Sequence, residues 1–279
     1  MWKLFILLLF LSCTDLLLQD KTDYHSIKLN GNAWIQIEND PNNENDISVM
    51  DDSFTLEFWF TGGNSGNSES ACLTSIVDEN GAIKFGLFKD PLSPNSLEVW
   101  LDDIRLSPIS LNLNKDLNNG SNFHHIAITS NENIQIYFNG TIIKTLTGMN
   151  INIDGNDLVI GGKVNHDIST LGNFWVGNID EMRLWSTVLS TSIIEFHIKN
   201  PDKLVEISED ESGNKWWETT PLTGLWRFQF QAGDVSPIIP DESCLVLNNM
   251  YSFTSSCSNY DATIYTLDEN VATFSEKHP

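Results

Sequence analysis

Ligand chemistry in this chain is concentrated at alternate positions of short apolar runs. In SLEVWLDD, Glu98, Trp100 and Asp102 alternate with Leu97, Val99 and Leu101, so a strand here sets an indole between two carboxylates on one face. In NIQIYF, Gln135 and Tyr137 share the polar face of a second strand. An aromatic ring stacks on the face of a sugar while Asp, Asn, Gln or Glu meets its hydroxyls, so these groupings suit glycan binding. His166, in VNHDIST, and Trp175 fall on or near loops and could line the rim of such a site. For each aromatic the alternative is core or inter-layer packing, because Trp is mostly buried.

The same residues do not make a hydrolase. Glu98 and Asp102 are four residues apart, about 13 Å along a strand. A retaining glycosidase needs its carboxyls roughly 5 Å apart. Glu206, Glu209, Asp210 and Glu211 lie in a polar connector and lack strand spacing. His124 and His125 are adjacent on a strand, point to opposite faces and cannot share one metal ion. No Ser/His/Asp grouping and no C-x-x-C pair is present. Binding, not catalysis, is therefore expected. The charge narrows the ligand: 38 acidic against 15 basic residues give a net charge of -23, which repels nucleic acid and anionic headgroups.

The start of the chain reads as an address. Lys3 precedes the apolar run Leu4 to Leu11, which fits a signal-peptide core and is too short to span a bilayer. Phe10-Leu11-Ser12-Cys13 resembles a bacterial lipobox, with Phe10 in place of the usual leucine. An ordinary signal peptide with an incidental Cys13 is the alternative. Lipidation at Cys13 implies a secreted protein held at the bacterial envelope by a lipid anchor alone. Cys244 and Cys257 sit in a Ser/Asn-rich region where an exported setting allows a disulfide. Cys72 is then left over as a small apolar filler.

The elements that must position these residues are strands. Ala33 to Ile37, Phe54 to Phe60, Leu73 to Val77, Ile83 to Phe88, Phe123 to Thr129, Ile134 to Lys144 and Leu158 to Gly162 are short, β-branched or aromatic runs. Asn30-Gly31, Asp78 to Gly81 and Asn139-Gly140 are hairpin signals between them. Ile179 to Trp185 alternates too, with Asp180, Met182 and Leu184 on one face and Ile179, Glu181, Arg183 and Trp185 on the other. Charge on both faces of a strand requires partners, because an unpaired buried charge is costly. Ser190 caps a short helix over TSIIEFHIK. With no other helical period, the pattern is all-β: an antiparallel two-sheet sandwich.

Taken together, the runs identify a resemblance. FTLEFWF, FHHIAIT, IQIYFNGTIIK, LVIGG and GNIDEMRLWSTVLS resemble, in order, the F-T-I-E-A-W-V, W-H-H-V-A-V-T, L-Y-V-N-G-x-x-V, L-x-I-G and G-x-I-D-E-V-R-I-W segments of laminin G-like domains. These are jelly rolls of the concanavalin A-like lectin/glucanase superfamily. The resemblance implies a concanavalin A-like jelly roll over residues 24–198, after a leader over 1–12 and a tether over 13–23. Residues 199–279 are then a short extension of at most two strands packing on the sandwich. The E-x-D-x-x-E motif of laminarinase-type relatives is missing. Asp180 matches an aspartate that binds calcium in some relatives, with Asn30 and Gly31 as further ligands; its alternative role is to hold a turn. The implied work is non-catalytic binding at a cell surface. The partner is a polysaccharide or surface glycan, or else another surface protein.

Overall fold

The computed structural model describes residues 26–31, 33–38, 53–62, 71–90, 96–111, 122–162, 174–201, 203–204, 222–227, 238–239, 262–266 and 273–275. The first strands are β1 (Ser26–Asn30), β2 (Ala33–Ile37), β3 (Phe54–Phe60), β4 (Ala71–Val77), β5 (Ile83–Lys89) and β6 (Ser96–Leu101). Next come β7 (Ile104–Arg105), β8 (Ile109–Ser110), β9 (His124–Ser130), β10 (Asn133–Phe138), β11 (Thr141–Thr147) and β12 (Asp157–Ile160). β13 (Val176–Trp185) leads into the helix α1 (Thr191–Lys199). β14 (Leu222–Trp226), β15 (Ile238–Ile239), β16 (Ala262–Thr266) and β17 (Thr273–Ser275) follow. Among the described residues no helix is long and apolar enough to cross a membrane.

The strands form two antiparallel sheets, as a jelly-roll sandwich requires. The first has the order β11-β10-β9-β3-β13-β1-β17, with β14 also on β13. The second runs β15-β16-β2-β12-β4-β5-β6-β7, with β8 also on β6. Their inner faces share one core. Leu56, Phe58 and Phe60 of β3 and Ile126 and Ile128 of β9 meet Ile35 and Ile37 of β2, Leu158 and Ile160 of β12, and Leu97 and Val99 of β6. Burying each such side chain contributes about 1.5–3 kcal/mol. Period-two alternation therefore sends the intervening polar residues outward.

Two turns show how local chemistry selects the path. Asn139 and Gly140 both have positive φ (47° and 79°), the type I′ geometry that closes the β10–β11 hairpin. Asn30-Gly31, by contrast, is not a hairpin turn. β1 and β2 belong to different sheets, and Gly31 (φ 90°) turns the corner between them. A Cβ there would lie 3.0 Å from Val176 Cγ2.

β13 departs from simple alternation. Its register with β3 shifts between Asp180 and Arg183, a β-bulge. Glu181 sits in the left-handed region at φ 47°, and Asp180 Oδ1 accepts a hydrogen bond from the Glu181 amide at 2.8 Å. The extra residue reverses the faces. Ile179, expected beside Arg183 and Trp185, instead joins Met182 and Leu184 in the shared core.

α1 covers the outer face of the first sheet. Ser190 caps it, accepting from the Ile193 amide at 3.4 Å. Ile194 and Leu189 pack there with Trp185, Tyr137 and Ala127. The tail is built into both sheets, with four strands where two were expected. β1 occupies one edge of β13 from Val176 to Ile179, and β14 takes the same edge from Met182 to Trp185. β16 pairs β2 and β17 pairs β1.

Candidate functional site

Two polar constellations stand out among the described residues. The first lies between the first sheet and α1 and is centred on Glu57 of β3, which is fully buried. Glu57 Oε2 is 3.2 Å from His125 Nε2, and Oε1 accepts from Trp185 Nε1 at 2.9 Å. His197 Nδ1, on α1, is 2.7 Å from Oε1, an ion-pair contact too oblique to count as a hydrogen bond. Its Nε2 faces the Leu204 carbonyl at 2.9 Å and so carries a proton. Arg183 Nη1 stands 3.7 Å from Glu57, while Nη2 pairs with Glu181 at 3.1 Å and also donates to the Pro201 carbonyl. The guanidinium lies 5.0 Å above the Trp59 ring.

Burial pushes the Glu57 carboxyl upward. The His197 charge, contacts from His125 and His197, and Arg183 outweigh this and hold it well below the usual carboxylate range. His125 is shifted the other way in charge terms: burial lowers it, more than Glu57 raises it. Carboxylate, imidazoles and guanidinium together have the residue types of an active site. Yet Glu57, Arg183 and His197 are each 0% exposed, so no substrate touches them. They supply the partners that charge on β13 demands.

The second constellation is on the outer face of the second sheet. Trp34, Val159 and Phe88 face outward from β2, β12 and β5, opposite the inward rows of the core. Trp34 stacks on Phe174 at 5.6 Å and donates through Nε1 to Gln36 Oε1 at 3.2 Å. Gln36 Nε2 in turn donates to Asp157 Oδ2 at 2.8 Å. Towards the sheet edge, Gly86 lies opposite Trp100. A Cβ on Gly86 would come within 2.6 Å of the Phe88 ring, so glycine lets that ring lie over the sheet. Phe88 then supports Trp100, with ring centroids 5.3 Å apart.

Trp100 is partly exposed and is fixed from two sides. Its Nε1 donates to Glu98 Oε2 at 3.4 Å. Glu98 is fully buried and forms an ion pair with Arg105 Nη2. Arg105 sits directly across β6–β7 from Trp100, and its side chain is 51% exposed. The hairpin that places Arg105 turns through Asp102 and Asp103, both at positive φ (46° and 60°). Asp103 Oδ1 accepts from the Ile83 amide at 3.1 Å, and the Asp102 and Asp103 amides donate to Lys84 and Ile83 carbonyls. The result is an indole platform with a guanidinium beside it, both anchored on one buried carboxylate.

Other residues expected at a site are placed elsewhere. Asp102 is in the turn and does not share the strand face of Glu98 and Trp100. Trp175 does not reach a rim: it is fully buried, donates to the Thr61 carbonyl at 2.9 Å and packs on Phe60. Tyr137 belongs to the layer under α1, is buried, and gives its hydroxyl proton to Gln135 Oε1 at 2.9 Å, so this pair offers no platform. Asn30 pairs with Val176, four residues along β13 from Asp180 and about 13 Å away. One ion cannot take both as direct ligands, and Asp180 already holds the bulge. Among the described residues no three His, Cys, Asp or Glu side chains are grouped to hold a metal. His166, Cys13, Cys244 and Cys257 lie outside the described residues. Cys72 is a buried free thiol. Arg105, Phe88 and Gly86 were not legible as site residues. The available signal was the D-D turn, which returns the chain beside Trp100.

The curated proteins contain no match to the chain. Among solved structures, a candidate carbohydrate-binding protein from Bacteroides ovatus aligns with a TM-score of 0.51 at 14% identity, over 90% of this chain and 62% of that one. A heptameric pentraxin from Limulus polyphemus aligns with a TM-score of 0.41 at 14% identity, over 60% of this chain and 82% of that one. A sialidase from Trypanosoma rangeli aligns with a TM-score of 0.39 at 19% identity, over 56% of this chain and 24% of that one. At such identities the likeness concerns the fold alone. Residues 29–195 match the laminin G model, and the chain therefore belongs to the concanavalin A-like lectin/glucanases superfamily.

Proposed function

We propose that this protein is a non-catalytic carbohydrate-binding module, exported and held at the bacterial cell surface through a lipid on Cys13. Its ligand is a polysaccharide or surface glycan, taken at the outer face of the second sheet. The observation that carries this reading is the partly exposed Trp100, fixed by Phe88 and Glu98 beside the half-exposed Arg105. A preorganised ring loses little freedom on stacking, and a guanidinium edge can donate to hydroxyls. The superfamily and the Bacteroides neighbour support it.

A pull-down on insoluble polysaccharides with a matching glycan array tests it. Binding should saturate, and Trp100→Ala should weaken it about tenfold or more, the loss of one stacking platform. Binding unchanged by Trp100→Ala, or release of reducing sugar by the wild type, contradicts it. A second reading, recognition of a surface protein, is favoured by β11. Among the described residues this edge strand pairs with β10 only, and Ile142 is 42% exposed. Such binding would survive Trp100→Ala.

A further inference from the structure

We infer that the Trp100 face selects neutral or amine-bearing glycans and rejects carboxylated or sulfated ones. This rests on the reading of that face as a glycan site. The presence of Arg105 beside an aromatic ring would, alone, suggest an anionic ligand. The arrangement beneath it says otherwise. Glu98 is completely buried on the same strand and already takes the Arg105 charge. Arg105 is therefore a hydrogen-bond donor whose charge is balanced before any ligand arrives. The nearby Lys84 is balanced as well, 3.1 Å from Asp78 Oδ2. Asp102 and Asp103 stand exposed in the turn that joins Trp100 to Arg105.

The surrounding chain adds to this. Between Asp78 and Arg105 the sequence carries six carboxylates (Asp78, Glu79, Asp90, Glu98, Asp102 and Asp103) against Lys84, Lys89 and Arg105. The whole protein has a net charge of -23. An anionic polymer meets repulsion over its full length, whereas a neutral one meets none and an amine-bearing one is attracted. Like-charge juxtaposition of this kind is a device for excluding wrong partners.

The test uses the full chain in mild detergent on an array of neutral, amine-bearing, carboxylated and sulfated glycans at low and high salt. Neutral or amine-bearing glycans should bind at least about tenfold more tightly than anionic ones at low salt, with the gap narrowing in high salt as repulsion is screened. Glu98→Gln releases the Arg105 charge and should shift affinity towards anionic glycans. Because that buried change could impair folding, Asp102→Asn in the exposed turn provides a second variant and should shift affinity the same way, by a few-fold. Anionic glycans bound as well as or better than neutral ones, with Trp100→Ala abolishing the binding, would overturn the selectivity and leave the site standing. Binding that ignores Trp100→Ala overturns the site itself, and an array with no bound glycan overturns both.

Discussion

A chain that ends after Lys199 is expected not to fold, although the family match stops at residue 195. The reason is the edge of β13. β1 satisfies it only as far as Ile179, and β14 pairs it from Met182 to Trp185. β14 also brings Leu222, Leu225 and Trp226, which are 5%, 0% and 0% exposed, into the two apolar layers. At about 1.5–3 kcal/mol each, these three side chains contribute roughly 5–9 kcal/mol. Whole domains are stable by about 5–15 kcal/mol. The cut further removes the Pro201 and Leu204 carbonyls that satisfy Arg183 and His197. Circular dichroism melts of the shortened and full chains check this. The shortened chain should show no cooperative transition; a melt within a few degrees of the full chain would mean that the tail is dispensable.

Glu57→Gln is expected to cost about 3–5 kcal/mol, the usual penalty for breaking a buried ion pair from one side. Gln keeps the size but leaves Arg183 and His197 without the carboxylate at 3.7 and 2.7 Å. By contrast Glu195→Gln, which removes an exposed partner of Lys199, should change stability by less than about 0.5 kcal/mol. Denaturant midpoints for both variants at neutral pH separate the two cases. The sign with pH is also fixed. His124 and His125 are held below their ordinary value of 6.5, so the unfolded chain takes up protons first as the pH falls through that value. Glu57 is held below its ordinary 4.5, so its contribution is present above that pH and is lost further down. Stability should therefore decline on acidification from about pH 6.5, and the decline below about pH 4.5 should be shallower in Glu57→Gln.

The strands were readable because burial on one face imposes a period of two. FTLEFWF and FHHIAIT became β3 and β9, and Asn139-Gly140 became their hairpin neighbour's turn, since each depends on residues adjacent in sequence. Features set by distant contacts were not readable. The bulge at Glu181 puts a non-glycine residue at positive φ, and no residue type in IDEMRLW announces it. It is held by Asp180 and by the register with β3, which only the assembled sheet defines. Trp175 looked like a rim residue because its neighbours are polar, but the Thr61 carbonyl from another strand end draws its indole inside. At the candidate site, Trp100 and Glu98 were visible as alternate residues of one strand. Arg105 was not, because its arrival depends on a turn through two aspartates at positive φ. Gly86 and Phe88 were missed for a related reason: their importance comes from the cross-strand register that sets them under Trp100.

The most direct measurement is the indole N–H spectrum of the protein during titration with a neutral oligosaccharide that the array shows to bind. The Trp100 resonance, assigned by its loss in Trp100→Ala, should shift saturably, while those of the fully buried Trp175, Trp185 and Trp226 stay in place. Saturable binding with Trp100 unmoved would contradict a glycan site on this face.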